Sequence, residues 1–218
     1  MTARSTAHEP ATRIGAPDPE APPLVLASKS PSRRDMLVSA GVPVTIQAAG
    51  VDEDEIKASM RHAGASAEEV AESLAEVKAQ RISPYHPGAL VLGADQMLEC
   101  DGIWYDKPSS REQAGEHLRA LSGRTHRLIV TAVLVKDGTR IWHQTDSAEL
   151  MVRPLSEDFI AGYLDAVGDA ALGSVGGYQL EGLGAQLFAR VRGDYFTVLG
   201  LPLLPLLEQL RNHKVVKR

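Results

Sequence analysis

Two long runs rich in strand-forming residues, 128–135 and 140–152, flank an Asp137-Gly138 step. Asp-Gly tolerates the left-handed backbone of a tight turn, so the runs are expected to lie side by side as long strands. A pair of that length forces a sheet on the chain and leaves its faces to be covered. The first half of the chain supplies the cover. Residues 24–27 read as a short buried strand that breaks at Ser28-Lys29-Ser30-Pro31. A helix follows, with Met36, Leu37 and Ala40 inward and Gly41 as its stop. Residues 42–47 read as a second strand, and 89–93 as a third that ends at Ala94-Asp95-Gln96. Strands and helices alternate early and antiparallel strands come late. That order predicts an α/β protein, a mixed twisted sheet with flanking helices in two lobes around a cleft.

The remaining elements carry their own punctuation. Ser66 and Glu69 make a capping box for a helix over 66–82, with Val70, Leu74, Val77 and Arg81 on one face. Residues 97–104 read as a hairpin about Asp101-Gly102. Ser110 with Gln113 starts a helix over 110–121 that Gly123 stops, and Ser156 caps one whose inner face is Phe159, Ile160, Tyr163 and Leu164. Residues 185–191 and 195–199 are expected as strands, ahead of a Pro-started apolar helix from Leu201 onward. Residues 1–22 lack periodicity and read as a flexible tail, which leaves 23–218 as one domain. Neither an internal repeat nor a GxGxxG or Walker A loop is present.

Charge and cysteine usage exclude some functions. A net charge of -5 disfavours a stable nucleic-acid partner, since phosphate backbones need a basic face, but a local basic pocket can still take a nucleotide. The single Cys100 allows neither an intrachain disulfide nor a cysteine-rich zinc site. No apolar run approaches the roughly 20 residues of a membrane span. Arg4 and Arg13 hint at a transit peptide, but Glu9, Asp18 and Glu20 argue against one, and a cytoplasmic location is expected.

Five polar clusters fall at element ends. The segment 26–35 joins a strand end to a helix start with hydroxyls and two arginines, a set that suits phosphate oxygens as well as it suits a plain capped helix with surface arginines. Asp95 follows a buried strand, where a carboxylate can hold Mg²⁺ or take a proton from water, or merely begin a turn. Lys78, at the edge of an apolar helical face, and Lys107, in Asp106-Lys107-Pro108, can reach a phosphate or snorkel from a core edge. The acidic run 51–55 offers a metal ligand, although solvated acidic loops are the commoner meaning of such runs. The glycine-rich stretch 173–184 frames Gln179 and Glu181, either as a binding turn or as a connection between lobes.

Together these pieces resemble the Maf family of nucleotide pyrophosphatases. The matching stretches are LASKSPSRRDML, AGVDED, AEVKAQ, GADQ, DKP, LSGRTH and GGYQLEGLG, followed by GDYFTVLGLPL, and they span about residues 24–211. The resemblance implies an α/β fold related to the inosine-triphosphate pyrophosphatases. It implies cleavage of a nucleoside triphosphate to the monophosphate and pyrophosphate with Mg²⁺ or Mn²⁺. Asp95 matches the family's catalytic acid, described as proton acceptor; by its chemistry Asp95, with Glu53, could equally hold the metal, and the sequence does not choose between base and ligand. Ser28, Arg33, Glu53, Lys78 and Lys107 match pocket positions.

Two arms of the family differ in substrate at three places. The dTTP and UTP arm has Ser-Pro-Arg-Arg, Ala-Asp-Thr and Ile-Gln-Gly there. The 7-methyl-GTP arm has Ser-Pro-Trp-Arg, Ser-Asp-Gln and Ser-Glu-Gly. This chain has Ser32, Gln96 and Glu181: the last two follow the second arm, Ser32 follows neither, and Gly193-Asp194-Tyr195 is closer to the first. A guanine-type substrate such as 7-methyl-GTP is therefore expected, with dTTP or UTP hydrolysis as the alternative. The resemblance also carries a homodimer, and a rival role as a non-catalytic nucleotide-binding regulator of cell division.

Overall fold

In a computed structural model, which describes residues 18–217, the long hairpin forms the centre of a seven-stranded mixed sheet. β5 (Thr125–Lys136) and β6 (Thr139–Val152) pair antiparallel from Thr125↔Met151 to Lys136↔Thr139. Asp137 takes φ 49° and Gly138 φ 78°, the left-handed pair that the turn requires. The same geometry recurs at Asp101 and Gly102, where β3 (Leu90–Cys100) turns into β4 (Ile103–Tyr105). β1 (Leu24–Leu26) lies parallel to both β2 (Thr45–Ile46) and β3, β3 lies antiparallel to β5, and β7 (Phe188–Arg192) closes the far edge on β6.

Helices cover both faces. α1 (Pro31–Ser39) and α7 (Leu203–Asn212) bury Leu37, Leu206 and Leu210 against Leu24, Leu90 and Leu92. Farther along the same sheet, α4 (Arg111–Leu121) and α5 (Glu157–Val167) enclose a second cluster with Leu98 and Leu150. α3 (Ala67–Ile82), with its Ser66–Glu69 capping box intact, covers the opposite face. Among the described residues no helix is long and apolar enough to cross a membrane. The expected tail falls mostly outside the described residues; within them, Asp18 lies 3.6 Å from Lys214.

The structure corrects several local expectations. β3 does not end before Asp95; it runs on to Cys100, with Asp95 opposite Thr131 of β5. What ends at that point is the pairing with β1, whose last partner is Leu92, while β4 begins pairing only at Leu98. One edge of β3 is thus left without a strand neighbour over 93–97. Residues 195–199 form a short helix, α6 (Tyr195–Leu199), not a strand. Asp194 caps it by accepting from the Phe196 and Thr197 amides, and left-handed Gly200 ends it, so two caps override the strand preference of the aromatic and β-branched residues. The acidic run is the first turn of a further helix, α2 (Glu53–His62), capped by Asp52, where carboxylates complement the helix dipole. The second strand shrinks to Thr45–Ile46, and the strand expected over 185–191 begins at Phe188.

Two helix faces are rotated from expectation. α3 buries Val70, Ala71, Leu74, Ala75, Lys78 and Ala79, whereas Arg81 is exposed. On α1 the inward residues are Arg33, Met36 and Leu37, and Ala40 is exposed. Both rotations turn a cationic side chain toward the open edge of β3.

Candidate active site

A cleft of about 650 Å³ opens at that edge, lined by the β1–α1 turn, the start of α2, the middle of β3, the segment after β4 and the glycine-rich loop. Its floor depends on one close approach. A Cβ on Gly93 would sit 1.9 Å from the Ala75 carbonyl oxygen, so α3 rests on β3 at a distance only glycine permits. One helical turn beyond Ala75 is Lys78; two residues beyond Gly93, on the same face of the strand, is Asp95. Lys78 Nζ therefore meets Asp95 Oδ1 at 2.6 Å and, from the other side, Glu53 Oε1 at 2.7 Å. Lys78 and Asp95 are both buried; Glu53 is half-buried. Burial by itself would raise the Glu53 carboxyl, but the Lys78 charge and hydrogen bond, with Lys57 and Arg33, hold it below its ordinary value of 4.5.

Arg33 fills the gap in the sheet. Its Nη1 donates to the Ala94 carbonyl at 2.9 Å and to Ser28 Oγ at 3.3 Å, and its Nε donates to the Gly200 carbonyl at 2.9 Å. A guanidinium thus satisfies backbone that a missing strand would have paired. Burial pushes its pKa down, partly offset by Asp95 and Glu53. Three of its N–H bonds go to this bracing, so its role in the fold is at least as large as any it plays toward phosphate. Gln96, on the opposite face of β3 from Asp95, is similarly tied. Its amide donates to the Thr197 and Val198 carbonyls at 3.1 and 3.0 Å, and fixes α6 at the cleft wall.

Lys107 lies at the cleft rim, exposed as a residue but with its ammonium partly desolvated inside the cleft; that desolvation, with Arg33 and Lys78 close by, pushes its pKa down. Two residues not anticipated from sequence join it. Lys57, one turn after Glu53 on α2, reaches Asp106 Oδ1 at 2.5 Å. Burial lowers the Lys57 pKa, but Asp106, Asp95 and Glu53 more than offset it and leave it raised. The i, i+4 spacing of Glu53 and Lys57 was the available signal, legible only once 53–62 is known to be helical.

The glycine-rich loop brings the other end of the cleft together. Ser32, at the start of α1, donates to Glu181 Oε1 at 3.5 Å across 149 residues of sequence. The loop is rooted by Tyr178, whose hydroxyl meets His126 Nε2 at 2.6 Å and whose ring packs on Phe188 at 4.9 Å. Burial pushes His126 down to about 4 and Tyr178 well above its ordinary value, so this pair is neutral. Cys100, the last residue of β3, does not line the cleft, and burial pushes its thiol up, which disfavours a nucleophile's role.

The sequence profile of Maf-like proteins matches residues 23–213. The chain belongs to the Maf-like family. It is 53% identical over 189 residues to a nucleoside triphosphate pyrophosphatase of Paramagnetospirillum magneticum, covering 87% of this chain and 97% of that protein. It is 50% identical over 193 residues to one of Granulibacter bethesdensis, covering 88% and 98%. A 7-methyl-GTP pyrophosphatase of Rhizobium etli is 50% identical over 191 residues, covering 88% of this chain and 96% of its own length.

In this Maf-like chain the donor set suits a hard divalent cation. Glu53 and Asp95 share Lys78, so their bonded oxygens lie no farther apart than those two short distances allow. Asp95 Oδ2 is buried and has no hydrogen-bond partner among the described residues, a costly state unless a ligand supplies one. No group of three or more His, Cys, Asp or Glu side chains suited to a metal occurs among the described residues. Two carboxylates with phosphate oxygens and water completing the shell is the arrangement Mg²⁺ favours.

Proposed function

We propose that this chain hydrolyses a nucleoside triphosphate to the monophosphate and pyrophosphate at the cleft beside β3. The observation that carries the reading is the convergence of Asp95, Glu53 and Lys78 on the floor of that cleft, with Lys107 at its rim, in a Maf-like chain. Its relatives at about half identity over most of their length are named for this activity. Ser28 in the β1–α1 turn and Arg33 in the first turn of α1 receive phosphate oxygens together with Lys107. Lys78 holds Asp95 in place, and Asp95 takes the proton of the water that attacks the α-phosphorus. The bond from that phosphorus to the bridging oxygen breaks, and pyrophosphate leaves with the electron pair. A Mg²⁺ or Mn²⁺ held by Asp95 and Glu53 would, when bound, offset charge on the phosphate oxygens. The rest of the catalysis is positioning and electrostatics by these side chains.

The substrate leans toward guanine, with 7-methyl-GTP as the best case. Glu181 offers two adjacent acceptor oxygens, and guanine offers two adjacent donors, the ring N1–H and the exocyclic amino group. Uracil and thymine would turn carbonyl oxygens toward the same carboxylate. The Rhizobium etli relative carries a name of that kind. Gln96 then acts indirectly, since its amide is engaged with α6. Pyrophosphate release measured over a panel of nucleotides, with Mg²⁺ and with excess chelator, tests the reading. Turnover highest on 7-methyl-GTP or GTP and abolished by chelation is expected. No release from any nucleotide would leave the chain a binding protein, and full activity in chelator would remove the metal.

A further inference from the structure

The proposed chemistry leaves two cations of the cleft lining unused, the exposed Lys29 and the largely buried Lys57. Lys57 projects from α2, which shares a cluster with β4: Ile56, Met60 and Trp104 all pack on the core around Leu74 and Met97, and Arg61 lies 4.4 Å over the Trp104 ring. That docking carries Lys57 to Asp106, two residues beyond Trp104, while the Asp106 backbone carbonyl accepts from Gly176 of the glycine-rich loop at 3.4 Å. The two partners differ in setting. The Lys57 side chain is 14% exposed and lines the cleft beside Lys78 and Glu53; the Asp106 side chain is 52% exposed at its mouth. An ammonium drawn into a cleft needs a counter-ion, and a half-exposed carboxylate is a weak one. A triphosphate entering the cleft carries several negative charges and displaces it readily.

We propose that Lys57 binds the departing pyrophosphate portion of the substrate, the β- and γ-phosphates, and that Asp106 is its resident counter-ion in the free protein. The proposal rests on the pyrophosphatase reading and assigns a ligand to a side chain that reading leaves idle. It separates this pair from a structural tie between α2 and the β4–α4 segment. A tie is broken equally from either end. A binding lysine and its competitor act in opposite directions: removing Lys57 weakens phosphate binding, and removing Asp106 frees the lysine and strengthens it.

The test compares Lys57→Gln and Asp106→Asn in the full chain, at one fixed Mg²⁺ concentration. It reads the inhibition constant of inorganic pyrophosphate and KM for the substrate the wild type turns over best. Lys57→Gln is expected to raise both by about tenfold, the size of one lost charge-assisted hydrogen bond. Asp106→Asn is expected to lower the pyrophosphate constant by about 2- to 5-fold, and it stands as a test by itself should Lys57→Gln fail to fold. The proposal is overturned if Asp106→Asn leaves that constant unchanged or raises it, or if a folded Lys57→Gln binds pyrophosphate as the wild type does. A wild-type chain that turns over no nucleotide defeats the activity itself; an active wild type with indifferent variants defeats only the role of Lys57.

Discussion

The two ends of the cleft are held by opposite means. At the floor, Lys78 of α3 is locked to Asp95 of β3 at 2.6 Å, an approach that only Gly93 allows, and to Glu53 of α2 at 2.7 Å. At the far end, Ser32 and Glu181 meet at 3.5 Å on the exposed rim, and the loop behind them is rooted by a neutral His126–Tyr178 pair. Rigid charge suits a reaction shared by every triphosphate, where geometry must not vary. A looser contact on a loop suits a choice among bases, which can change without disturbing the chemistry.

That contrast can be broken at three points. The largest effect is expected at the floor. Asp95→Asn removes a charge and almost no volume, and turnover should fall by about 10²-fold or more while the melting curve keeps its single cooperative transition. A variant with near-wild-type turnover would show that the locked cluster is structural only.

The second point is the root of the loop. Because burial pushes His126 down to about 4 from an ordinary 6.5, the unfolded chain binds a proton between those pH values that the folded chain refuses. Stability is then complete above pH 6.5 and declines as pH falls toward 4, by roughly 3 kcal/mol at most. Melting temperature followed against pH should show that decline, and His126→Gln should flatten it. An unchanged slope in the variant would place the acid sensitivity elsewhere, with His117, which burial also lowers from 6.5, the next candidate; Glu53 acts only below pH 4.5.

The smallest effect is the most specific. Glu181→Gln should shift preference among nucleotides toward UTP and dTTP by about tenfold, with little change in melting temperature, because the side chain is exposed. If the ranking of substrates stays as in the wild type, the rim does not read the base, and the division between a fixed floor and an adjustable rim fails.

The sequence by itself determined whatever rests on a few neighbouring residues. Caps at Ser66, Ser110 and Ser156, turns at Asp101-Gly102 and Asp137-Gly138, and the long hairpin all act through hydrogen bonds and backbone preferences within a few positions, and all stand in the structure. The family motifs singled out Asp95, Glu53, Lys78 and Lys107, and they line one cleft. Tertiary structure decided the rest. A polar Asp95 breaks the apolar run of β3, and that the strand continues to Cys100 is decided by its pairing with β5, a fact about another strand. The run 51–55 shows its acidic residues but not its helix, because the apolar face of α2 is only Ile56 and Met60, too short a stripe until the cluster around Leu74 and Met97 receives it. Arg33 and Gln96 carry the composition of ligand-binding residues, but the edge of a sheet and the end of α6 claim most of their donors. The meeting of Lys57 with Asp106 and of Ser32 with Glu181 joins positions 49 and 149 residues apart. No local preference reaches that far: such contacts exist only after the sheet has paired and the helices have docked, which is why they had to be read from the folded chain.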